Sequence, residues 1–282
     1  MSTTVACIGE LLWDILPAHR VLGGAPANVA HHLSRLGWDS RLITRVGTDE
    51  RGEAALRTLN QRGVRTTDVQ VDLALPTGAA YVKLEGAQAQ YEFETPAAWD
   101  AIEAPAARMD AVIFGSLAQR DPRSAAAIRK LVREASMSFY DVNLRAPYTK
   151  LDLVIESLQL ATVVKVNETE IAALACELRL PIQPAEFSAA IAGMFPVRMV
   201  CVSLGARGAG LWSGGRWIEL PAPRIAVVDT IGAGDAFFAG LVDGLLSARS
   251  LDDALSRAIT LGSFVATRSG GTPDYQAQDL AL

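Results

Sequence analysis

Short apolar runs that end in glycine or a polar residue alternate with helical segments along most of this 282-residue chain. The runs lie at 5–9, 42–47, 111–115, 138–145, 163–167 and 199–205. Continuous apolar runs of this length are typical of strands that are buried on both faces of a parallel sheet. Because helical segments separate them, the pattern predicts a doubly wound α/β fold, with a mostly parallel sheet flanked by helices.

A segment over residues 68–100 interrupts this alternation. Residues 77–84 have the composition of a strand, 85–87 that of a turn, and 88–94 alternate between polar and apolar side chains. The pattern predicts an antiparallel hairpin with one polar face. A small sheet inserted at this point indicates a lid over a substrate, or a dimer surface. Trp99 ends the segment, and it is interpreted either as lining of a substrate pocket or as packing of the lid.

No internal repeat, linker or low-complexity stretch divides the chain. We therefore expect a single domain over residues 1–282, with lid elements at about 15–22 and 76–99.

The stretch Asp229–Phe237 reads DTIGAGDAF and joins an extended, β-branched run at 225–228 to an Ala- and Leu-rich segment at 236–246. This order predicts a strand that turns through glycines into the N-terminus of a helix. Gly232 and Gly234 allow backbone conformations that are closed to other residues. The N–H groups of this turn, Ala233 included, can then converge on one anion at the positive end of the helix dipole.

Asp235 lies inside this predicted anion site, where its carboxylate would repel a phosphate. The arrangement is explained if the carboxylate accepts a proton from a hydroxyl that attacks the bound phosphate. The combination favours phosphoryl transfer. One alternative is an ordinary helix cap. A dinucleotide site would need a later strand with an acidic residue about 20 positions on, and only helical sequence and a short tail follow.

Polar groups that could hold a hydroxylated substrate follow the first strand. Asp14 lies just beyond it, where open parallel sheets bind their ligands. The pair Gly23 and Gly24 permits close backbone approach, and Asn28 lies one turn inside the next helix. Its amide can both donate to and accept from hydroxyls. A solvated acid and a surface amide are the alternative interpretations.

Later strands deliver polar residues to the same edge of the predicted sheet. Asn143 and Arg145 end one strand and are candidate ligand-facing groups. Asn167, Glu168 and Glu170 follow the next strand at the start of a helix. Because carboxylates at a helix start are ordinary caps, these residues alone do not indicate a metal or phosphate role.

Charge and composition limit the other classes of function. The net charge of −5 and the absence of a basic run disfavour nucleic-acid and anionic-membrane binding. The cysteines at 7, 176 and 201 lie among apolar neighbours and are expected to be reduced core residues. His31 and His32 have no third ligand nearby and are interpreted as surface or packing residues. No signal peptide and no membrane span is indicated, so a soluble, cytoplasmic protein is expected.

Taken together, these stretches resemble the ribokinase-like (PfkB) family of carbohydrate kinases over nearly the whole chain. Gly23–Ala30 resembles the first signature of the family, and Asp229–Phe237 resembles the second. The resemblance implies a ribokinase-like sheet flanked by helices, with a small antiparallel β-lid that often pairs in dimers. It also implies ATP and a small sugar as partners, with Mg²⁺ as cofactor and no nucleic acid or membrane.

The resemblance also assigns roles to individual residues. Asp235 is implied to deprotonate the sugar hydroxyl, and the backbone of 232–235 to bind the transferring phosphoryl group. The sugar side takes Asp14, Gly23, Gly24 and Asn28, to which Trp99, Asn143 and Arg145 are added as candidate substrate residues.

On the nucleotide side, Asn167 and Glu170 match an Asn-x-x-Glu motif that the family associates with magnesium and the nucleotide phosphates. Ser203 and Gly205 match the nucleotide-side strand end. Asp229 and Ile231, with the loop around Gly270 and Gly271, match the place where some members hold a monovalent cation such as K⁺.

Within the family, four local patterns are most similar to fructokinases: residues 9–14, the Ala25-Pro26 pair, residues 141–145 and residues 97–100. Fructose is therefore the first expected acceptor. Ribose, a keto-deoxy sugar acid, a nucleoside or a sugar phosphate stay open as acceptors. A sugar- or nucleotide-binding protein without catalysis is the alternative from another class.

Overall fold

The computed structural model describes residues 3–17, 19–85 and 88–280, and the side chains of 82–85 and 88–90 are outside this description. Gly86 and Ala87, in the predicted hairpin turn, lie outside the described residues. In chain order the strands are β1 Val5–Ile8, β2 Leu12–Ile15, β3 Arg20–Gly23, β4 Ser40–Gly47, β5 Val69–Asp72, β6 Gly78–Glu85, β7 Gln88–Phe93, β8 Ala111–Gly115, β9 Met137–Asp141, β10 Val163–Asn167, β11 Met199–Ser203, β12 Ala209–Ser213 and β13 Arg216–Leu220.

The larger sheet has the order β13-β12-β11-β10-β9-β8-β1-β4-β5. Its strands from β11 through β5 run parallel, and β12 and β13 form an antiparallel hairpin at one end. The smaller sheet has the order β3-β2-β6-β7. Its outer pairs are antiparallel, whereas its central pair, β2 with β6, is parallel.

Helices cover both faces of the larger sheet: α1 Ala25–Arg35, α2 Glu50–Gln61, α3 Pro122–Glu134, α4 Leu151–Leu158, α5 Glu168–Leu178, α6 Pro184–Met194, α7 Ala233–Leu246 and α8 Leu251–Ala266. Helices α1, α2, α7 and α8 pack in one apolar core, and α3 to α6 pack in the other. Alternate residues of β1 enter the two cores: Cys7 belongs to the first and Ile8 to the second. Burial on both faces explains why the strand sequences are continuously apolar.

Several helix ends follow from simple sequence signals. Proline occupies the first turn of α1, α3 and α6, where its missing N–H has no partner to lose. Asp49 and Ser250 cap α2 and α8 by accepting a hydrogen bond from a backbone N–H. Within the described ranges, no helix has the length and the apolar character needed to cross a membrane.

Three sequence expectations are wrong. Residues 225–228 form no strand, and Val227 and Val228 are 60% and 66% exposed. Their β-branched composition suits a strand, but the chain here hydrogen-bonds through the Val228 N–H to the Ala266 carbonyl, at the end of α8. The predicted strand at 138–145 ends at Asp141, since Asn143 has a φ of 38°. Cys176 is exposed, whereas Cys7 and Cys201 are buried as expected.

Candidate active site

The candidate site lies where β1, β9, β10 and β11 end, against the N-terminus of α7. Parallel strands present their carboxyl ends at one edge, which is the usual ligand edge of an open α/β sheet. Glu10 and Asn143 follow β1 and β9, whereas Asn167 and Ser203 are the last residues of β10 and β11 and lie side by side in the strand register.

The turn before α7 is held from two sides. Asp229 accepts hydrogen bonds from the N–H of Ile231 at Oδ1 (2.9 Å) and from the N–H of Gly270 at Oδ2 (3.0 Å). Gly232 has a φ of 70°, and a Cβ at this position would lie 2.3 Å from the Cα of Gly271. Only glycine suits this position, because any other residue would be strained at this φ and its Cβ would collide with the backbone of Gly271.

Helix α7 begins at Ala233 without a side-chain cap, and Gly234 in its first turn is exposed. Uncapped N–H groups at the positive end of a 14-residue helix form a site suited to an anion. The Ala233 N–H donates a long, 3.3 Å hydrogen bond to the Thr230 carbonyl, so the predicted anion site would rely mainly on the other N–H groups of this turn. The extended segment that leads into it is not the predicted strand.

Asp235 is half-buried in the first turn of α7 and accepts a 2.8 Å hydrogen bond at Oδ2 from Nδ2 of Asn28. Burial raises the pKa of the Asp235 carboxyl to about 6. The hydrogen bond from Asn28 opposes this rise, and the negative charge of Asp141 adds to it. The carboxylate is thus mostly ionised at neutral pH and can still accept a proton.

Asp14, in β2, faces the same region as the glycine pair. A Cβ on Gly23 would lie 2.5 Å from the Asp14 carboxylate, and a Cβ on Gly24 would lie 2.4 Å from the carbonyl oxygen of Glu10. Burial raises the pKa of Asp14 to about 6, and the positive charge of Arg145 opposes that rise. Gly23 therefore leaves room for the half-buried Asp14 carboxylate, and Gly24 leaves room for the backbone of Glu10.

Arg145 links the acidic groups of this region. Its positive charge opposes the rise that burial causes in the pKa values of Glu10, Asp14 and Asp235. Its guanidinium carbon lies 5.8 Å from the centre of the Tyr91 ring in β7. Arg145 is half-buried, as is Asn143. The structure thus brings the predicted residues Asp14, Asn143, Arg145 and Asp235 to one edge of the sheet.

Glu10 is a residue that the sequence reasoning did not single out. It is 4% exposed, its Oε2 has no hydrogen-bond partner among the described residues, and burial raises its pKa to about 7. The sequence signal for Glu10 is a carboxylate two residues after a buried strand, and Asp14 carries a similar signal.

On the other side of the turn, Asn167 and Glu170 form a capping box at the start of α5. Oδ1 of Asn167 accepts from the N–H of Glu170, and Oε2 of Glu170 accepts from the N–H of Asn167, both at 2.9 Å. Oε1 of Glu170 accepts from the N–H of Leu144 at 3.1 Å, and burial raises the pKa of this carboxyl. Both carboxylate oxygens are therefore already used.

The strand end at Ser203 is more open. Ser203 is half-buried and its hydroxyl donates a long, 3.4 Å hydrogen bond to the carbonyl of Val166. Gly205 is exposed at the start of a short helical turn, Gly205–Arg207. Across the described part of the chain, no group of three or more His, Cys, Asp or Glu side chains could hold a metal ion.

Trp99 does not line an open pocket. It is 1% exposed, and the guanidinium carbon of Arg120 lies 3.8 Å from the centre of its ring. Arg120 in turn forms an ion pair with Asp100, with Nε 2.8 Å from Oδ1. The structure thus corrects the substrate-lining interpretation in favour of the packing alternative, since a stacked and ion-paired arginine covers the indole.

A second feature that the sequence reasoning missed is a buried ion pair beneath the turn. Nζ of Lys165, in β10, lies 3.0 Å and 3.2 Å from the two carboxylate oxygens of Asp141, at the end of β9. The signal was a lysine inside the apolar run of 163–167. A charge in a doubly buried strand requires a partner.

Comparison with known proteins relates the whole chain to carbohydrate kinases. The sequence matches the pfkB family of carbohydrate kinases over residues 17–278. The fructokinase of Escherichia coli is 31% identical over 267 residues, which cover 88% of this chain and 86% of that protein.

Solved structures give the same result. The aminoimidazole riboside kinase of Salmonella enterica, complexed with aminoimidazole riboside and an ATP analog, is similar with a TM-score of 0.81 at 26% identity, over 95% of each chain. The fructokinase of Vibrio cholerae O395, with fructose, ADP and a calcium ion bound, is similar with a TM-score of 0.84 at 27% identity, over 96% of this chain and 94% of that one. The predicted fold class is confirmed.

Proposed function

The chain belongs to the pfkB family of carbohydrate kinases, and from this premise we propose that it transfers the γ-phosphoryl group of ATP to a hydroxyl of a small sugar, with fructose as the first candidate. The observation that carries the proposal is the position of Asp235, a half-buried carboxylate in the uncapped first turn of α7, held by the amide of Asn28. A base beside an anion site is what phosphoryl transfer to a hydroxyl requires.

In this proposal Asp235 takes the proton of the attacking hydroxyl, and the N–H groups of 232–235 bind the transferring phosphoryl group. A pKa of about 6 leaves the carboxylate ionised at neutral pH, close to the value that favours a general base. The remaining work is alignment of the two substrates and stabilisation of charge.

The sugar is proposed to lie between the glycine pair and the end of β9. The half-buried carboxylate of Asp14 can accept hydrogen bonds from hydroxyls, and Arg145 and Asn143 can donate to them. Asn28 uses Nδ2 on Asp235, which leaves its carbonyl oxygen for a sugar hydroxyl. Gly23 and Gly24 support this placement only indirectly, because they let Asp14 and the Glu10 backbone approach the start of α1.

ATP is proposed to lie on the opposite side of the turn, along Asn167, Ser203 and Gly205. We propose that the nucleotide phosphates, and not Glu170, hold the magnesium ion on this side. Each carboxylate oxygen of Glu170 already accepts a backbone hydrogen bond. Bound there, the ion would neutralise phosphate charge, and Glu170 would act only indirectly, by holding Asn167.

A monovalent cation such as K⁺ is proposed at the loop pair joined by Asp229. Backbone carbonyl oxygens of the two loops would supply the ligands. Asp229 would act indirectly, because each of its carboxylate oxygens already accepts a backbone hydrogen bond, and it ties the Ile231 and Gly270 segments together. A cation bound there would add positive charge beside the anion site.

The smaller sheet is proposed to act as a lid and as a homodimer surface. Two observations support this: β2 carries Asp14, and Tyr81 and Tyr91 in β6 and β7 are 43% and 38% exposed. Exposed aromatic side chains on a small sheet suit a protein interface.

A second acceptor class is a nucleoside-like riboside. Its support is the similarity in fold to the aminoimidazole riboside kinase, at 26% identity. Fructose is preferred because the fructokinase of Escherichia coli is 31% identical and the fructose-bound fructokinase of Vibrio cholerae O395 has the higher TM-score, 0.84.

The test is release of ADP from magnesium-ATP across a panel of fructose, ribose, a keto-deoxy sugar acid, nucleosides and aminoimidazole riboside, with and without K⁺. Fructose-selective turnover supports the full proposal, and turnover on another acceptor replaces the substrate but keeps the role of Asp235. Folded protein that binds ATP but turns over no acceptor would overturn the kinase assignment in favour of a binding protein.

A further inference from the structure

Lys165 is a lysine inside a buried strand. It lies between Val164 and Val166 of β10, and those two valines pack into the core formed with α3 to α6. Because neighbouring residues of a strand point to opposite faces, Lys165 points toward the other face of the sheet. Its side chain is 7% exposed, and that of its partner Asp141 is 6% exposed. The two residues also lie side by side in the parallel register of β9 and β10.

The ammonium of Lys165 lies directly beneath the first turn of α7. A Cβ placed on Gly234 would be 3.7 Å from Nζ, which is ordinary contact distance. Asp235, the next residue along the chain, feels the charges of both Lys165 and Asp141. The ion pair is thus part of the floor of the proposed phosphoryl site.

Stability alone does not account for this ion pair. Buried ion pairs are often no more stabilising than apolar residues of similar volume, because desolvation offsets the Coulombic attraction. A lysine between two valines of β10 therefore leaves room for a role beyond stability.

The two charges act on Asp235 in opposite directions. Asp141 raises the pKa of Asp235, and Lys165 lowers it. The other groups that affect Asp235 are Asn28 from α1 and Arg145 from the loop after β9, both of which lower its pKa, and Glu10, whose own pKa is raised by the charge of Asp235. Without the ammonium of Lys165, the negative charge of Asp141 would raise the pKa of Asp235 with no positive charge beneath the turn to oppose it.

We propose that Lys165 is a positioning residue for phosphoryl transfer: by neutralising Asp141 beneath the 232–235 turn, it keeps Asp235 ionised when the acceptor binds. This inference rests on the proposed function. Lys165 touches neither substrate; it acts through Asp235 and through the charge below Gly234.

The test compares Lys165→Met, Lys165→Arg, Asp141→Asn and the double variant Lys165→Met/Asp141→Asn. Protein labelled with ¹³C at the aspartate carboxyls is titrated without ligands, and the Asp235 signal is assigned by its loss in Asp235→Asn. We expect the midpoint of Asp235 to rise by roughly half to one pH unit in Lys165→Met and to fall by a similar amount in Asp141→Asn. The double variant returns toward the wild-type midpoint, and Lys165→Arg stays near it.

A matched control is the Asp243–Arg257 ion pair, which also involves α7 and is also buried but lies away from the turn. Asp243→Asn should lower thermal stability without moving the midpoint of Asp235. If Lys165→Met does not fold, the contrast between Asp141→Asn and the double variant still decides the question.

Turnover supplies the second readout. A rise of one pH unit in the midpoint lowers turnover about five-fold at pH 6, and the loss shrinks at pH 8.5, where Asp235 is ionised in either protein. A merely structural role would lower turnover equally at both pH values.

The inference is overturned if the two single variants move the Asp235 midpoint in the same direction, or not at all. That outcome is separate from failure of the proposed function, which would show as absence of acceptor-dependent ADP release by wild-type protein. The carboxyl titration needs no turnover, so each idea can fail alone.

Discussion

Nδ2 of Asn28 donates a 2.8 Å hydrogen bond to Oδ2 of Asp235, although 207 positions separate the two residues in the sequence. The bond joins the first turns of α1 and α7, and the N-termini of both helices face the candidate site. It stabilises the charged form of the Asp235 carboxyl and fixes its orientation. The glycine-rich segments before the two helices are thus brought into one site.

Replacing Asp235 by asparagine removes the proposed base and keeps a side chain of the same shape. We expect turnover to fall about 10³-fold, the scale of general-base loss, while sugar binding survives. ADP release and calorimetric titration of the sugar measure the two quantities. Asp252→Asn, an exposed acid in α8, is the control for loss of one negative charge. Near-normal turnover in Asp235→Asn would show that another group accepts the proton.

Replacing Asn28 by alanine removes the hydrogen bond that lowers the pKa of Asp235. Activity requires ionised Asp235, so the wild-type rate is expected to fall as the pH drops through about 6. Without the bond the charged form is less stable, the pKa rises, and the acid limb of the kcat/KM profile moves to higher pH.

The measurement is the rate profile from pH 5 to pH 9. Asn60→Ala, an exposed amide in α2, serves as the comparison and should leave the profile in place. An acid limb that stays in place in Asn28→Ala would contradict the role of the bond.

The buried strands were the most predictable part of the fold. The runs at 5–8, 163–167 and 199–203 are apolar because helices cover both faces, and this pattern is visible in the sequence. Residues 225–228 have the same composition and form no strand. Propensity for a strand does not supply a neighbouring strand, and the partner here is the end of α8.

Within the site, the glycines and Asp235 could be predicted because their spacing fixes local backbone geometry. Lys165, Glu10 and Trp99 could not be assigned in the same way. Their environments depend on side chains from other elements: Lys165 meets Asp141, and Trp99 lies under Arg120. Such contacts are set by tertiary packing. In the sequence, their only sign is a single charged or aromatic residue.

Gly232→Ala tests the turn itself. The substitution imposes a φ of 70° on alanine and places its Cβ 2.3 Å from the Cα of Gly271. Gly214→Ala is a matched control in the β12–β13 hairpin, with a φ of 56° and no atom within 4 Å of the added Cβ.

We expect Gly214→Ala to lower the free energy of unfolding by about 1 kcal/mol, from backbone strain alone. Gly232→Ala should cost more and should weaken ATP binding, as measured by urea denaturation and calorimetry. Equal costs with unchanged ATP affinity would show that the turn tolerates the displaced backbone.

Two adjacent buried histidines brace the same turn from behind. Nδ1 of His32 lies 2.9 Å from the hydroxyl of Tyr275, and Nε2 lies 2.9 Å from the carbonyl oxygen of Gly271. Because a carbonyl only accepts, the neutral ring carries its proton on Nε2 and accepts from Tyr275 at Nδ1. His31 contacts the carbonyls of Arg62 and Pro273. The packing interpretation of both histidines is confirmed, since they are 1% and 0% exposed.

The substitution His32→Phe keeps an aromatic ring at this position. It removes both hydrogen bonds of the imidazole and its titratable proton. Burial lowers the pKa of His32 in the folded protein to about 3, whereas an unfolded histidine titrates near 6.5. Between those values the unfolded chain binds more protons, so His32 makes the wild-type protein less stable as the pH falls. We expect the variant to be about 2–3 kcal/mol less stable at pH 7.5, because it leaves the Tyr275 hydroxyl and the Gly271 carbonyl unpaired. At pH 5 that difference in stability should be narrower by about 2 kcal/mol, since the variant lacks the titrating ring.

Urea denaturation at the two pH values measures the difference in stability, and the exposed His19, changed to Gln, is the control. A gap of the same size at both pH values would mean that His32 is not held neutral in the fold.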